Sequence, residues 1–288
     1  MRSEREVLDL ILAFARNSDG IRAVLLNGSR VNPTVTQDLF CDYDVACIVA
    51  NPESFLLDQQ WIDRFGERIM MQQNEFSDSG GTGYIFLMLF ADGVRIDLSF
   101  HPQGRLHTLL EDSLTVVLLD KDQRIPPLPP PTDTSYRTRK PDQETFDAVV
   151  NEFWWCSSNV AKGLWRDELC YAKYMFDAIV RDALLTMLAW HVGMRRNWQV
   201  NPGKMGKWFK AFLPPDLWES LEKTYADADY DAIWESMFEA GKLARIIGTE
   251  VADALGYEYP LQDDARMTQY WRQVRALPKD ANDLLNAC

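Results

Sequence analysis

A proline-rich segment at 125–131 divides this chain into two parts with different hydrophobic patterns. Five prolines among seven residues exclude a helix interior or a central strand, because proline lacks the backbone N–H that both require. Before the segment, apolar and polar residues alternate as in strands, whereas after it apolar residues recur at helical spacing. The sequence therefore predicts an α+β chain. A mixed sheet with helices is expected over 1–135, ending in a stiff proline linker, and an all-helical domain over 136–288.

The first part is expected to begin with a helix over 4–16. Its strands are predicted over 21–26, 43–49, 84–90, 94–100 and 115–119, and residues 91–93 have the composition of a hairpin turn. Further helices are predicted over 59–71 and 105–111. In the second part, helical periodicity predicts helices over 142–162, 167–192, 203–212, 215–225, 229–256 and 263–275, with prolines at several of the breaks.

Two aspartates one residue apart, Asp42 and Asp44, lie at the start of the strand expected over 43–49. Side chains alternate between the faces of a strand, so these two carboxylates share one face. Like charges placed together repel, and they are tolerated when a cation lies between them or water surrounds both. A turn at Gly28 and Ser29 precedes them, and its N–H groups and hydroxyl suit a phosphate. This layout is typical of a metal-dependent nucleotidyl transfer site.

A third carboxylate, Asp97, lies on the polar face of the strand expected over 94–100, together with Arg95 and Ser99. If that strand pairs beside the one that begins at Asp42, the three aspartates converge. Three carboxylates can hold two Mg²⁺ ions about 3.5–4 Å apart, the spacing used for in-line phosphoryl displacement. Each feature alone is typical of an ordinary turn or a solvated acidic residue, so the ordered combination carries the prediction.

Two basic residues are candidates for contact with a nucleotide. Arg30 directly follows the Gly-Ser turn and is expected to reach a phosphate oxygen, with a surface ion pair as the ordinary alternative. Lys204 follows Gly203 and is expected near a helix N-terminus, whose partial charge favours a triphosphate. A solvated lysine is the alternative there.

The charge of the chain bears on its partners. The formal net charge is −13, and both halves are acidic. A nucleic-acid partner requires a basic face, so this composition argues against one, whereas a negative field attracts a cationic small molecule. No segment approaches the ~20 apolar residues of a membrane span, and the N-terminus lacks a signal-peptide pattern. Five cysteines without metal-site spacing indicate reduced thiols, so we expect a cytoplasmic protein. We also expect either a monomer or a weak dimer.

The chain also resembles a known family, the aminoglycoside 6-adenylyltransferases, which are the streptomycin-modifying branch of the nucleotidyltransferase superfamily. Two of the matching motifs are shared by many nucleotidyltransferases: LNGSR at 26–30 and DYD at 42–44. The others are specific to the family and extend nearly to the end of the chain. They are FG at 65–66, IMMQ at 69–72, LMLF at 87–90, IDL at 96–98, LDKD at 119–122, RKP at 139–141, NEFW at 151–154, KGL at 162–164, WHVG at 190–193 and GK at 203–204.

The resemblance implies a nucleotidyltransferase domain over 1–135 and a helical, acceptor-binding domain over 136–288. It also implies transfer of AMP from ATP to a hydroxyl of an aminoglycoside, with streptomycin expected, and Mg²⁺ bound by the three aspartates. Glu152, Glu168 and Trp155 are the residues expected to contact the acceptor.

Departures from the family pattern fall on the acceptor side, at Tyr174 and Met175 and at Met205 and Gly206. Two alternatives therefore stay open. One is an adenylyltransferase for another small molecule or for a protein, and the other is a nucleotide-binding sensor without catalysis.

Overall fold

The structure, a computed structural model, describes residues 1–281. The chain folds into two compact units, Met1–Ser135 and Tyr136–Cys288, here called the sheet unit and the helical unit. The predicted fold class, a mixed sheet with helices followed by a helical region, is confirmed.

Six strands form the sheet, in the order β3-β4-β5-β2-β1-β6. They are β1 (Ile21–Asn27), β2 (Tyr43–Val49), β3 (Arg68–Asp78), β4 (Gly81–Phe90), β5 (Arg95–Pro102) and β6 (Thr115–Asp120). The central pair, β2 and β5, is parallel, and the other neighbours are antiparallel. Two strands distant in sequence therefore lie side by side in the middle of the sheet.

Helix α1 (Glu4–Arg16) covers one face of the sheet. It begins at a capping box, in which Ser3 and Glu6 satisfy each other's backbone N–H groups. Its buried residue Phe14 packs on Trp61 and Phe100, with ring centroids 5.4 and 6.5 Å apart respectively. The short helices α2 (Glu53–Leu57) and α3 (Leu106–Leu110) complete the unit.

Alternation along the strands separates this core from the opposite face. In β5, Ile96, Leu98 and Phe100 belong to the core beneath α1. The residues between them, Asp97 and Ser99, therefore point to the other side of the sheet, as expected for a strand.

The helix predicted over 59–71 is wrong. A 3₁₀ turn, Gln60–Phe65, buries Trp61, Ile62 and Phe65, which produced the helical pattern. The chain then continues as β3, an edge strand of eleven residues. Most of β3 is exposed on both faces, so its sequence lacks the alternation by which a half-buried strand is recognised.

The proline-rich segment belongs to the sheet unit, and its role as a stiff linker stays a prediction. Residues 125–131 and the β6 residues Thr115, Val116 and Val117 line the same groove. Beyond the prolines, Thr132 and Ser113 exchange two hydrogen bonds, one from the Thr132 backbone N–H and one from the Ser113 hydroxyl. The segment therefore runs beside the outer strand β6.

The helical unit contains α4 (Gln143–Trp165), α5 (Leu169–Tyr174), α6 (Arg181–Arg195), α7 (Phe209–Phe212), α8 (Pro215–Lys223), α9 (Tyr230–Leu255) and α10 (Leu261–Ala276). A π-helical segment, Met175–Val180, joins α5 to α6 without a break. Trp154 of α4 stacks on the fully buried Trp271 of α10, with ring centroids 5.2 Å apart. The helix predicted over 203–212 is reduced to a 3₁₀ turn, Lys204–Gly206, and the single turn of α7.

Among the described residues, no helix combines the length and the apolar character that a membrane crossing requires. Cys41, Cys47, Cys156 and Cys170 are free thiols, and Cys288 lies outside the described residues.

Candidate active site

The register of the central strands places polar side chains in one row across the sheet. Asn27 of β1 pairs with Asp44 of β2, and Asp44 pairs with Asp97 of the parallel strand β5. Asn27 also donates from its side-chain amide to the Thr115 hydroxyl of β6, at 2.6 Å. Paired residues on neighbouring strands share one face, so Asp44 and Asp97 lie side by side.

The turn after β1 packs directly against Asp44. Gly28 has φ of +76°, a left-handed conformation that glycine adopts without a steric penalty. A Cβ atom added at Gly28 would lie 2.2 Å from Asp44 Oδ2, so a side chain cannot be accommodated without moving the carboxylate. Ser29 follows in a 3₁₀ turn, and its carbonyl accepts a hydrogen bond from the Gln37 side chain at 2.8 Å. The predicted phosphate-binding turn therefore adjoins the first aspartate strand.

Arg95 joins two of the three aspartates. Its Nε and Nη2 donate to the two carboxylate oxygens of Asp97, at 2.8 and 2.7 Å. Its Nη1 lies 3.4 Å from Asp42 Oδ2. The Asp97 side chain is 10% exposed and that of Arg95 44%, so the arginine covers the aspartate from the solvent side.

Asp44 lies in an unfavourable environment for a negative charge. Burial, followed by the negative charges of Asp97 and Asp42, raises the pKa of Asp44 to about 6. The positive charges of Arg95 and Arg30 oppose this shift without cancelling it. Repulsion among carboxylates of this kind is relieved when a cation binds between them.

The donor set is suited to Mg²⁺, which prefers carboxylate oxygens. Within residues 1–281, however, no group of three or more His, Cys, Asp or Glu side chains is arranged around a metal-sized point. Asp42 and Asp97 both contact the Arg95 guanidinium. The three aspartates therefore fit Mg²⁺ by the chemistry of their oxygen ligands and by their proximity, while two of the carboxylates contact the Arg95 guanidinium.

Arg30 contacts the protein itself. Its Nη2 donates to the Cys41 carbonyl and its Nε to the Asp42 carbonyl, the latter at 3.3 Å. The guanidinium also stacks 3.7 Å from the centroid of the Tyr43 ring, and the side chain is only 9% exposed. Arg30 thus fixes the backbone that carries Asp42, and a direct phosphate contact stays a prediction.

A cavity of about 410 Å³ opens beside these residues in the sheet unit. Arg30, Asp42 and Arg95 line it, together with the exposed residues Leu39 and Phe40. The sequence places Arg95 on the same strand face as Asp97 but assigns it no role. Its spacing of two residues from Asp97 was the available signal.

In the helical unit, the predicted acceptor residues separate into two groups. Glu168 lines a cavity of about 920 Å³ together with Trp165, Tyr230 and Trp234. Glu152 and Trp155 are exposed on α4 and do not line this cavity.

Lys204 is exposed in the 3₁₀ turn that follows Gly203, and no regular helix begins there. Its predicted contact with a nucleotide stays a prediction.

The geometry of the sheet unit defines a class of protein. A Gly-Ser turn packs against one aspartate of an Asp-x-Asp pair, and a third aspartate lies beside it on a parallel strand, which is the layout expected from the sequence for a nucleotidyltransferase.

Comparison with known proteins gives the family. The chain belongs to the streptomycin adenylyltransferase family, whose model matches residues 1–274. The resemblance seen in the sequence is thereby confirmed.

Similar proteins include an aminoglycoside 6-adenylyltransferase of Campylobacter jejuni, 41% identical over 279 residues, covering 96% of this chain and 97% of that protein. The aminoglycoside 6-adenylyltransferase of Bacillus subtilis (strain 168) is 38% identical over 276 residues, covering 94% of this chain and 97% of that protein. The crystal structure of an aminoglycoside 6-adenyltransferase from Bacillus subtilis is 34% identical, with 96% of this chain and 100% of that chain covered and a TM-score of 0.49.

Proposed function

We propose that this protein transfers an adenylyl group from ATP to a hydroxyl of an aminoglycoside, with streptomycin as the acceptor. The observation that carries the proposal is the placement of Asp44 beside Asp97 on parallel strands, with Gly28 packed against Asp44. The family and the aminoglycoside 6-adenylyltransferases named above support both the reaction and the acceptor class.

In the proposed reaction, the acceptor hydroxyl oxygen forms a bond to the α-phosphorus as the bond to the β-phosphate oxygen breaks and pyrophosphate leaves. Asp97 receives the hydroxyl proton or orients the group that does. Gly28 and Ser29 hold the β- and γ-phosphates, and Arg30 fixes the strand that carries Asp42. Two Mg²⁺ ions held by Asp42, Asp44 and Asp97 would neutralise charge on the triphosphate and lower the pKa of the acceptor hydroxyl.

The acceptor chemistry agrees with the charge of the chain. Streptomycin carries guanidinium groups, and carboxylates bind these best in bidentate geometry. Glu168 offers a carboxylate in a cavity that Trp165 and Trp234 also line. The proposal places the protein in the cytoplasm, where ATP is available, and includes no nucleic-acid partner.

One experiment tests the activity and the acceptor together. The protein, ATP and Mg²⁺ are incubated with streptomycin and with a panel of other aminoglycosides, and pyrophosphate release is measured. We expect release that depends on streptomycin, with a product heavier by one adenylyl group. Release with another acceptor would replace streptomycin, and nucleotide binding without release in any mixture would favour a sensor.

A further inference from the structure

Two of the three aspartates of the site contact a positive charge that belongs to the protein. Arg95 presents its fork of N–H groups to both oxygens of Asp97 and places Nη1 3.4 Å from Asp42. A bidentate arginine–carboxylate pair is among the stronger charge-assisted hydrogen bonds, and its planar geometry fixes both groups. In this arrangement Arg95 satisfies Asp97 and Asp42 at once.

The backbone places these carboxylates close together. Strand pairing holds Asp44 beside Asp97, and the Asp44 carboxylate occupies the space that a side chain at Gly28 would fill. Within the described part of the chain, nevertheless, no three acidic side chains are arranged around a metal-sized point. The fixed backbone brings the carboxylates together, while the side chains of two of them turn toward the guanidinium.

Arg95 is also able to leave. Its side chain is 44% exposed, whereas that of Asp97 is 10% exposed, so the arginine is the outer partner of the pair. It lines the cavity of about 410 Å³ beside Asp42, which gives the long side chain room to move away from the aspartates. Displacing it requires a competing cation and no change in the backbone of β5.

We propose that Arg95 is a resident counter-ion of the active site, which holds Asp42 and Asp97 in place before nucleotide binds and is displaced by the metal ion that accompanies ATP. This inference rests on the proposed function, since it assumes that the carboxylates bind a metal. Arg95 is thus a positioning residue. It competes with the metal for the same oxygens, so the protein binds a divalent ion weakly until the triphosphate adds its own ligands.

The test compares metal binding without nucleotide in the full-length protein and in Arg95→Gln. Mn²⁺ is the probe, because it takes the same oxygen ligands as Mg²⁺ and is detected by electron paramagnetic resonance. Removing the competitor should tighten Mn²⁺ binding by about tenfold or more, given the usual strength of hydrogen bonds between charged groups. A merely structural arginine would have the opposite effect, since its loss would disorder the carboxylates and weaken binding.

Arg68 provides a matched control. It forms an exposed ion pair with Asp63 at 3.2 Å in the same unit. Arg68→Gln removes the same charge and should leave Mn²⁺ affinity unchanged, which separates local competition from a change in net charge. Without divalent ions, Arg95→Gln should melt at a lower temperature than Arg68→Gln, and saturating Mn²⁺ should raise its melting temperature more than that of the wild type.

If Arg95→Gln does not fold, Arg95→Lys keeps a charge but loses the bidentate fork, and a smaller tightening of Mn²⁺ binding is expected. Unchanged or weaker Mn²⁺ binding in the folded variant overturns the inference, as does equal tightening in Arg68→Gln. Pyrophosphate release by the wild-type protein is measured in parallel. Release together with unchanged Mn²⁺ affinity in the variant would refute the role of Arg95 alone, whereas no release with any acceptor would refute the proposed function.

Discussion

Replacing Gly28 by alanine tests whether the position of Asp44 depends on the absence of a side chain in the preceding turn. The added Cβ atom would lie 2.2 Å from Asp44 Oδ2, and contacts under 3.0 Å essentially never occur at a real Cβ. The carboxylate oxygen, or the turn itself, must therefore shift by about 0.8 Å or more, a difference taken from those two distances. A displacement near 1 Å at a reacting group can cost about 100-fold in rate.

We therefore expect Gly28→Ala to lower kcat/KM for adenylyl transfer about 100-fold, which corresponds to about 2.7 kcal/mol of transition-state stabilisation. The same substitution forces alanine into a left-handed conformation, at a cost of about 1 kcal/mol to folding. Activity is measured by pyrophosphate release, and stability by thermal unfolding.

Gly256 supplies the control for the cost of placing alanine in a left-handed backbone conformation. It has φ of +74° at the end of α9, and no atom lies within 4 Å of an added Cβ. Gly256→Ala should therefore lose about the same stability, about 1 kcal/mol, and keep wild-type activity. Wild-type kcat/KM in Gly28→Ala, at equal stability loss in both variants, would refute the reasoning, because Asp44 would then tolerate the displacement.

Three further predictions follow from the described contacts. Burial, aided by the positive charge of Arg105, lowers the pKa of His101 from 6.5 to about 4, so only the unfolded chain takes up this proton between those pH values. The stability that His101 contributes should be nearly complete at pH 7.5 and about 2 kcal/mol smaller at pH 5, so the change in unfolding free energy between these pH values should differ by about 2 kcal/mol between the wild type and His101→Gln in urea denaturation. The same change in both proteins would contradict this assignment. Asp44→Asn should abolish most turnover. Without divalent ions it should also raise the melting temperature, because it removes a buried charge that Asp97 and Asp42 repel. Near wild-type turnover would exclude Asp44 as a metal ligand. Glu168→Gln should weaken streptomycin binding to the ATP-loaded protein several-fold in calorimetry. Glu152→Gln, which lies outside the cavity that Glu168 lines, should leave this binding unchanged. Equal effects of the two substitutions would show that this cavity is not the acceptor site.

Several features of the fold could be predicted from the sequence because local physics determines them. Helix α1 carries its own capping box and an apolar stripe, and it was predicted with the observed bounds. Strand β2 was likewise predicted over its observed residues, since it is a continuous apolar run after a polar start. The convergence of Asp44 with Asp97 followed from alternation together with the assumption that β2 and β5 are neighbours.

Other features depend on tertiary contacts that leave little local signal. Strand β3 is held by hydrogen bonds to β4 at the edge of the sheet, so solvent on both faces removes its periodicity. The role of Arg95 depends on where its flexible side chain ends, which the strand pattern does not specify. The proline segment was correctly expected to lack helix and strand, but its place beside β6 is set by packing within the sheet unit.

The parallel pairing of β2 with β5 has a consequence for how the site comes into being during synthesis. These strands are separated by β3 and β4, so their contact closes a long loop, and such contacts form late because the entropy of closure must be overcome first. A ribosome-bound chain that ends before Arg95 contains the Gly-Ser turn and both aspartates of β2, but neither Asp97 nor its arginine. The site is therefore a property of the finished sheet, and activity cannot return during refolding before its two central strands have met.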